Sequence, residues 1–492
     1  MEKKKTTVIT ISATLALILL VATATYAYFQ ADLGNNKEVD VSVSTLTEND
    51  RFSFAVGDPL ALQADETSFV KGGDSVSDTT TATALLTANN KTNNATKYYY
   101  LYLLISQNEF LYSQNENTPE LILTITKPDG TKLTTLDGLT YKTITDGKGT
   151  TIKGFDITTK KGLITIADNK KITTTSTIEE KWSITLTLVN YDVNQIDNLG
   201  KMFSSRLIIQ QDEFVPSPAN ICSSNQSLNS CIISLNGYVD TLYYHDSTLT
   251  NGAGDNSYRY AGASDSVNNY ICLGSDEVTC PEKNTFRIIG LFNTLLGGKQ
   301  IKVIKSSSNG SNVWGTAPNK WSSSSLYTYL NETYLTSLGT LTDKIAQGVW
   351  SVKGVVSGKM DSAIPSIVYS YDAGLNDLNS FVGAKIGLMY VSDYGFAASP
   401  VAWSTAVSRY NNKLTDGTTI KSQNWLYLGS DEWTIFPGTN GVDGAYSVTS
   451  AGNVTLASIS VSKSIRPVFY LDSNITYASG TGTSSNPIRI TD

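Results

Sequence analysis

Alternation of apolar and polar residues constrains this chain more than any other feature of its first half. Val39-Asp40-Val41-Ser42-Val43 and Phe52-Ser53-Phe54-Ala55-Val56 put apolar groups on one side of an extended backbone and polar groups on the other, the period of a half-buried strand. Leu121-Ile122-Leu123-Thr124-Ile125 stops at Lys127-Pro128-Asp129-Gly130, where proline pre-sets a turn and glycine admits positive φ. Trp182-Ser183-Ile184-Thr185-Leu186-Thr187-Leu188 alternates again. Short strands with turns between them, from Glu38 to Phe214, predict an antiparallel β-sandwich. Tyr98-Tyr99-Tyr100-Leu101-Tyr102-Leu103-Leu104-Ile105 is apolar or aromatic on both faces. It reads either as a central strand covered on both sides, the favoured reading, or as a sticky edge strand for self-assembly.

The length of 492 residues fits two or more domains. Charges are few and the net charge is −7, with many Thr, Ser, Asn and Tyr residues. An acidic balance without a basic groove argues against nucleic acid as a partner. Four cysteines fall as Cys222 with Cys231 and Cys272 with Cys280. Sequence alone permits three connectivities, and close spacing in an exported chain favours two local disulfides. Neither pair has the CxxC spacing of a zinc site, and the chain has one histidine.

Export is read from the other end. Glu2-Lys3-Lys4-Lys5 precedes a mostly apolar run from Val8 to Phe29. Residues 1–27 are therefore a signal peptide, cut after Ala24 or Ala27, or an uncleaved membrane anchor, since about 20 apolar residues suffice to span. Small residues at Ala22, Ala24 and Ala27 favour cleavage. In either case the lysines stay inside and the rest lies outside, at the cell surface or secreted. No LPxTG-type sorting signal follows Ile490, so attachment is expected through the N-terminal segment or not at all.

Two prolines in Phe214-Val215-Pro216-Ser217-Pro218-Ala219-Asn220 predict a domain boundary with a stiff extended linker over residues 216–220. Residues 28–215 are then the sandwich and 221–492 a second domain. Within it, Asn269-Tyr270-Ile271-Cys272 and Asn284 to Phe292 read as a hairpin stapled by the second cysteine pair. Leu326, Leu330, Tyr334 and Leu338 recur at four-residue steps after a run of serines, predicting a short amphipathic helix with a serine N-cap. The whole is mainly β, with an α+β C-terminal domain.

Two resemblances extend this reading. Thr25-Tyr26-Ala27-Tyr28-Phe29, with Asp32 and the valines at 39, 41 and 43, resembles the start of the camelysin/TasA family of surface and biofilm-matrix proteins. The last third, Trp433-Thr434-Ile435-Phe436-Pro437-Gly438, Ala445-Tyr446-Ser447-Val448, Gly452-Asn453-Val454, Ser464 to Leu471, Gly480-Thr481-Gly482 and Asn486 to Ile490, resembles the C-terminal half of C-type-lectin-like/formylglycine-generating-enzyme-like domains of bacterial surface proteins. That resemblance implies an extracellular binding scaffold without fixing a ligand. In such domains the tryptophan before the turn is structural, and Arg466-Pro467 is expected to tie strands together.

Catalytic constellations are hard to assemble. His245, the single histidine, sits in Tyr243-Tyr244-His245-Asp246, an aromatic strand end. There is no HExxH motif, no cysteine after Cys280 of the kind formylglycine-generating enzymes use, and too few histidines for their iron-dependent relatives. The chain is expected not to be an enzyme and to need no cofactor. Binding readings point to the loop from Ser430 to Tyr446, where Asp431, Glu432, Asn440 and Asp443 offer oxygen donors, with calcium as an option although the lectin calcium signatures are absent. Asp393 and Tyr394 are further candidates, placed at a strand-to-loop junction after Gly387 to Val391 that reads equally as a turn closed by Asp and Gly; Trp403, Trp425, Trp433, Tyr394 and Tyr446 could supply stacking faces, although most of them are expected in the core. The expected function is a non-catalytic adhesin or ligand-binding protein recognising a glycan or a protein. The alternatives are a structural biofilm or fibre subunit and a surface hydrolase of unfamiliar chemistry.

Overall fold

The computed structural model describes residues 50–89, 94–115, 117–294, 298–316, 320–356, 358–360, 362–372, 380–439 and 443–491. The N-terminal apolar segment and the strand expected at Val39 to Val43 lie outside the described residues. Among the described residues no helix is long and apolar enough to cross a membrane. The chain divides between Phe214 and Val215 into two compact units. Strands dominate both, and the fold is mainly β.

Among its described residues the first unit has ten strands: β1 Arg51–Val56, β2 Leu60–Gln63, β3 Val76–Thr87, β4 Ala95–Asn108, β5 Leu121–Thr126, β6 Tyr141–Thr145, β7 Thr151–Asp156, β8 Gly162–Thr174, β9 Thr177–Leu188 and β10 Met202–Gln210. They form a six-stranded sheet in the order β1-β3-β9-β5-β7-β6 and a four-stranded sheet in the order β2-β10-β4-β8. Alternation sets the inward face: Ala82, Ala84 and Leu86 of β3 and Trp182, Ile184 and Leu186 of β9 are buried. Each large side chain so buried contributes about 1.5–3 kcal/mol. On the outer face of the same pair, hydroxyls pair across strands, Ser77 with Thr187 at 2.8 Å and Thr79 with Thr185 at 2.9 Å. β4 is a central strand, paired with β10 on one side and β8 on the other, and Leu101 to Ile105 are all buried. The edge-strand reading of this segment is therefore overturned: its two-sided apolar pattern reflects cover on both faces.

A polar bridge joins the two sheets. The Tyr99 hydroxyl of β4 donates to Glu180 of β9 at 2.5 Å and accepts from the Trp182 indole at 2.9 Å. Lys170 of β8 completes it with an ion pair to Glu180 at 2.8 Å.

The segment after Phe214 differs from the extended linker expected over residues 216–220. Pro218–Ile221 is a helical turn, with Pro218 at a helix-opening position where its missing N–H costs nothing, and the Asn220 side chain accepts the Ser217 N–H at 2.8 Å. Proline here begins a helix, and does not stiffen an extended spacer.

Among the described residues the second unit has two larger sheets and two small two-stranded ones. One larger sheet runs Leu242–His245, Ser257–Tyr260, Thr285–Asn293, Lys299–Lys305, Val468–Tyr470 and Ile386–Gly387, with Tyr270–Cys272 beside Thr285–Asn293. The other runs Ser311–Val313, Ser462–Ser464, Glu432–Thr439, Gly444–Val448 and Val454–Ser458, with Val355–Val356 pairing parallel to Glu432–Thr439. The expected helix is present from Ser325, and the Ser324 hydroxyl caps it by accepting the Tyr327 N–H at 3.0 Å. Leu326, Leu330 and Tyr334 are buried. A strict four-residue spacing drifts around a 3.6-residue helix, and a π turn over Tyr329–Tyr334 takes up the difference.

Both local disulfides are present, Cys222–Cys231 with Cα atoms 5.2 Å apart and Cys272–Cys280 at 5.8 Å. The bridges suggest an oxidising, extracellular environment.

Candidate functional site

The segment expected to present Asp431, Glu432, Asn440 and Asp443 on one loop is a hairpin instead. Glu432 pairs with Val448 and Pro437 with Ala445, so the chain runs out along one strand and returns along the next. Asp431 lies at the open end of this hairpin and Asp443 beside its connecting loop. Eight residues of strand separate them, roughly 20–25 Å. Asn440 lies outside the described residues. Asp431, Glu432 and Asp443 therefore do not converge on one ion or one ligand, and the single-loop site is corrected to two separate ends.

Burial then sorts these residues. Glu432 is 1 % exposed and makes a bidentate pair with Arg466, at 2.7 and 2.8 Å, while the same guanidinium donates to the Leu426 carbonyl at 2.6 Å. Burial raises the Glu432 carboxyl pKa against the pull of Arg466. Glu432 is thus not a surface contact: it fixes the strand, and Arg466 holds the scaffold as expected. Asp393 and Tyr394 are likewise corrected. They lie on the helix Val391–Phe396, where the Asp393 carboxylate accepts the Tyr390 N–H at 2.8 Å, and both are buried. The Tyr394 hydroxyl donates to the Gly452 carbonyl at 2.8 Å. Trp403, Trp425, Trp433 and Tyr446 are core residues as well, each at most 2 % exposed, and offer no stacking face.

Asp431 keeps a surface position. Its carboxylate pairs with Lys463 at 2.7 Å and accepts the Ser450 N–H at 2.8 Å, and the Lys463 hydrogen bond, with the Ser450 N–H behind it, holds its pKa below the usual carboxylate value. The Tyr427 hydroxyl donates to the carbonyl of the same Ser450, and Lys421 stands 5.5 Å from the Tyr427 ring centre. Ser450 thereby holds a carboxylate and a partly exposed aromatic ring side by side. Asp443 is exposed, and its backbone carbonyl accepts from Ile459.

A second constellation, unforeseen in the sequence, lies inside the same unit. Lys302, on the central strand Lys299–Lys305, pairs with Asp393 at 2.5 Å, and Arg259 lies 3.9 Å from the other Asp393 oxygen. Arg259 also pairs with Asp255 at 2.7 Å. The Lys302, Arg259 and Asp393 side chains are at most 2 % exposed. Beside them Asp372, at the end of the helix Pro365–Asp372, accepts from the Ser392 N–H and hydroxyl, each at 2.8 Å. Burial pushes the Asp372 carboxyl up to about 7, and burial likewise lowers the Lys302 ammonium. Aromatic rings wall the cluster: Tyr390 at 4.3 Å and Phe292 at 5.3 Å from the Lys302 nitrogen, and Phe292 and Phe396 at 4.6 and 4.9 Å from the Arg259 guanidinium. The signal available in the sequence was a single charge inside an apolar strand, as in Ile301-Lys302-Val303 and Tyr258-Arg259-Tyr260.

His245 is buried close by, 4.8 Å from the Phe396 ring and 5.0 Å from Trp403. Its Nδ1 accepts the Ala253 N–H at 3.0 Å and its Nε2 has no partner among the described residues. Burial, then the charge of Arg259, drives its pKa down to about 3. A neutral, enclosed imidazole whose Nδ1 accepts a backbone N–H is a core residue here.

No family model, curated protein or solved structure matches this chain.

Proposed function

We propose that this chain is an exported cell-surface or matrix-associated protein that binds a glycan or protein ligand without catalysing a reaction, its second unit following a C-type-lectin-like plan. The observation that carries the reading is the patch around Ser450, where Asp431 and Tyr427 are held side by side at the surface with Lys421 next to them. A carboxylate that accepts hydroxyls beside an aromatic ring that covers C–H faces is the usual pairing of polar and apolar contacts in a recognition site. The strand beneath is fixed by the Arg466–Glu432 pair, so the patch rests on a rigid support. Export is supported by the N-terminal sequence pattern and the two disulfides.

The test is retention of the full mature chain on glycan and extracellular-protein arrays, followed by the variant combining Asp431→Asn with Tyr427→Ala. Binding is expected to weaken at least about tenfold, about 1.4 kcal/mol, in a variant that stays folded by circular dichroism. Binding by the double variant equal to that of the native chain removes this patch from the reading, and turnover of an array ligand removes its non-catalytic part.

A further inference from the structure

The buried cluster around Lys302 does not contribute to the surface patch, and an ion pair is a poor use of it. Enclosing an ammonium and a carboxylate in an aromatic core costs several kcal/mol per ion, which their attraction offsets only with full hydrogen bonding. We propose that Lys302 and Asp393 are joined by an intramolecular amide, formed by condensation of the Lys302 Nζ with the Asp393 carboxyl and assisted by Asp372.

The placement supplies what this reaction needs. Nζ lies 2.5 Å from the Asp393 Oδ2, so the carboxyl carbon is no more than one C–O bond further away and the two groups are already in contact. Both reactants are fixed by packed elements, a central strand and a helix, which replaces a bimolecular encounter by a pre-oriented one. The other carboxyl oxygen, Oδ1, faces the Arg259 guanidinium at 3.9 Å, where negative charge develops as the carbon becomes tetrahedral. Tyr390, Phe292, Trp350 and Tyr470 surround Nζ at 4.3 to 5.8 Å and exclude the water that would compete. Asp372 is held against the residue that precedes Asp393, its two oxygens accepting from the Ser392 N–H and hydroxyl at 2.8 Å, and burial keeps it able to carry a proton near neutral pH; burial also disfavours the charged form of Lys302, which frees its lone pair.

The step balances without a co-reactant. Lys302 and Asp393, as ammonium and carboxylate or as amine and acid, become one amide and one water. Nζ forms a bond to Cγ, and the bond from Cγ to Oδ2 breaks. Asp372 takes a proton from the tetrahedral nitrogen, gives one to the departing oxygen and ends as it began. Nothing is oxidised or reduced, and the product amide is neutral.

The experiment is peptide mapping by mass spectrometry of the purified, folded full chain after disulfide reduction. The expected result is a branched peptide in which the Lys302 and Asp393 segments are joined with the loss of one water. Asp372→Asn keeps an acceptor for Ser392 but cannot relay a proton, and it is expected to give the two linear peptides while its near-ultraviolet circular dichroism matches the native chain. Linear Lys302 and Asp393 peptides from the folded native protein overturn the proposal. A branched peptide formed as fully by Asp372→Asn overturns the role of Asp372.

Discussion

Replacing His245 by Asn is expected to change how stability responds to pH. Its folded pKa, about 3, lies below its unfolded value of 6.5, so the unfolded chain binds a proton that the folded one refuses. The contribution is complete above pH 6.5 and is lost as pH falls toward 3. Between pH 8 and pH 5 that loss is about 2 kcal/mol. Asp372 works in the opposite sense. Its folded pKa of about 7 exceeds the unfolded 3.8, so its contribution is complete below pH 3.8 and is lost as pH rises through 7. Over the same interval, acidification returns about 3 kcal/mol at Asp372. The two nearly cancel in the native chain. His245→Asn retains an acceptor for the Ala253 N–H and removes the titration, so the variant should gain stability relative to the native chain by about 2 kcal/mol on going from pH 8 to pH 5. Guanidinium denaturation at several pH values, followed by fluorescence of the buried Trp314, Trp321, Trp350 and Trp403 of the second unit, measures it. Parallel pH profiles for the variant and the native chain would refute the claim that the imidazole is held neutral.

Two further expectations concern the second unit. Arg466→Ala leaves the Glu432 carboxylate buried without its partner and should cost about 3–5 kcal/mol in a denaturation experiment, with Glu432→Gln in the same background recovering part of the loss. Replacing Cys222 and Cys231 by Ser opens a loop of sequence separation 9 and should cost roughly 2–3 kcal/mol while the unit still folds, as read by thermal melting.

What was legible in the sequence was local. Strand alternation in Trp182 to Leu188, the serine that caps the helix at Ser325 and the cysteine pairs each depend on neighbours within about ten residues, and the structure contains all of them. The candidate site was less legible because its decisive partners are distant. Glu432 looks like a loop acid until Arg466, 34 residues on, is placed against it, and Asp393 looks like a turn residue until Lys302, 91 residues earlier, fills the space beside it. Asp431 and Glu432 are adjacent in sequence, yet they point to opposite fates because neighbouring side chains on an extended chain face opposite sides. The helix at Val391 was missed since Gly395 weakens the helical signal, whereas the Asp393 carboxylate, by accepting the Tyr390 N–H, supplies a cap that only the folded geometry displays.

The bridge of Tyr99, Glu180, Trp182 and Lys170 has a consequence for how many packings the first unit can adopt. Two apolar sheet faces in contact can slide over one another with little change in buried area, and many offsets would then compete. Here, a slip of one residue pair in either direction would carry the Trp182 indole away from the Tyr99 hydroxyl, part that hydroxyl from Glu180 and strand the two groups in a dry interior. Each stranded group costs about 1–3 kcal/mol. Apolar contact brings the sheets together, and this small polar latch selects one offset among those that greasy surfaces alone would leave nearly degenerate.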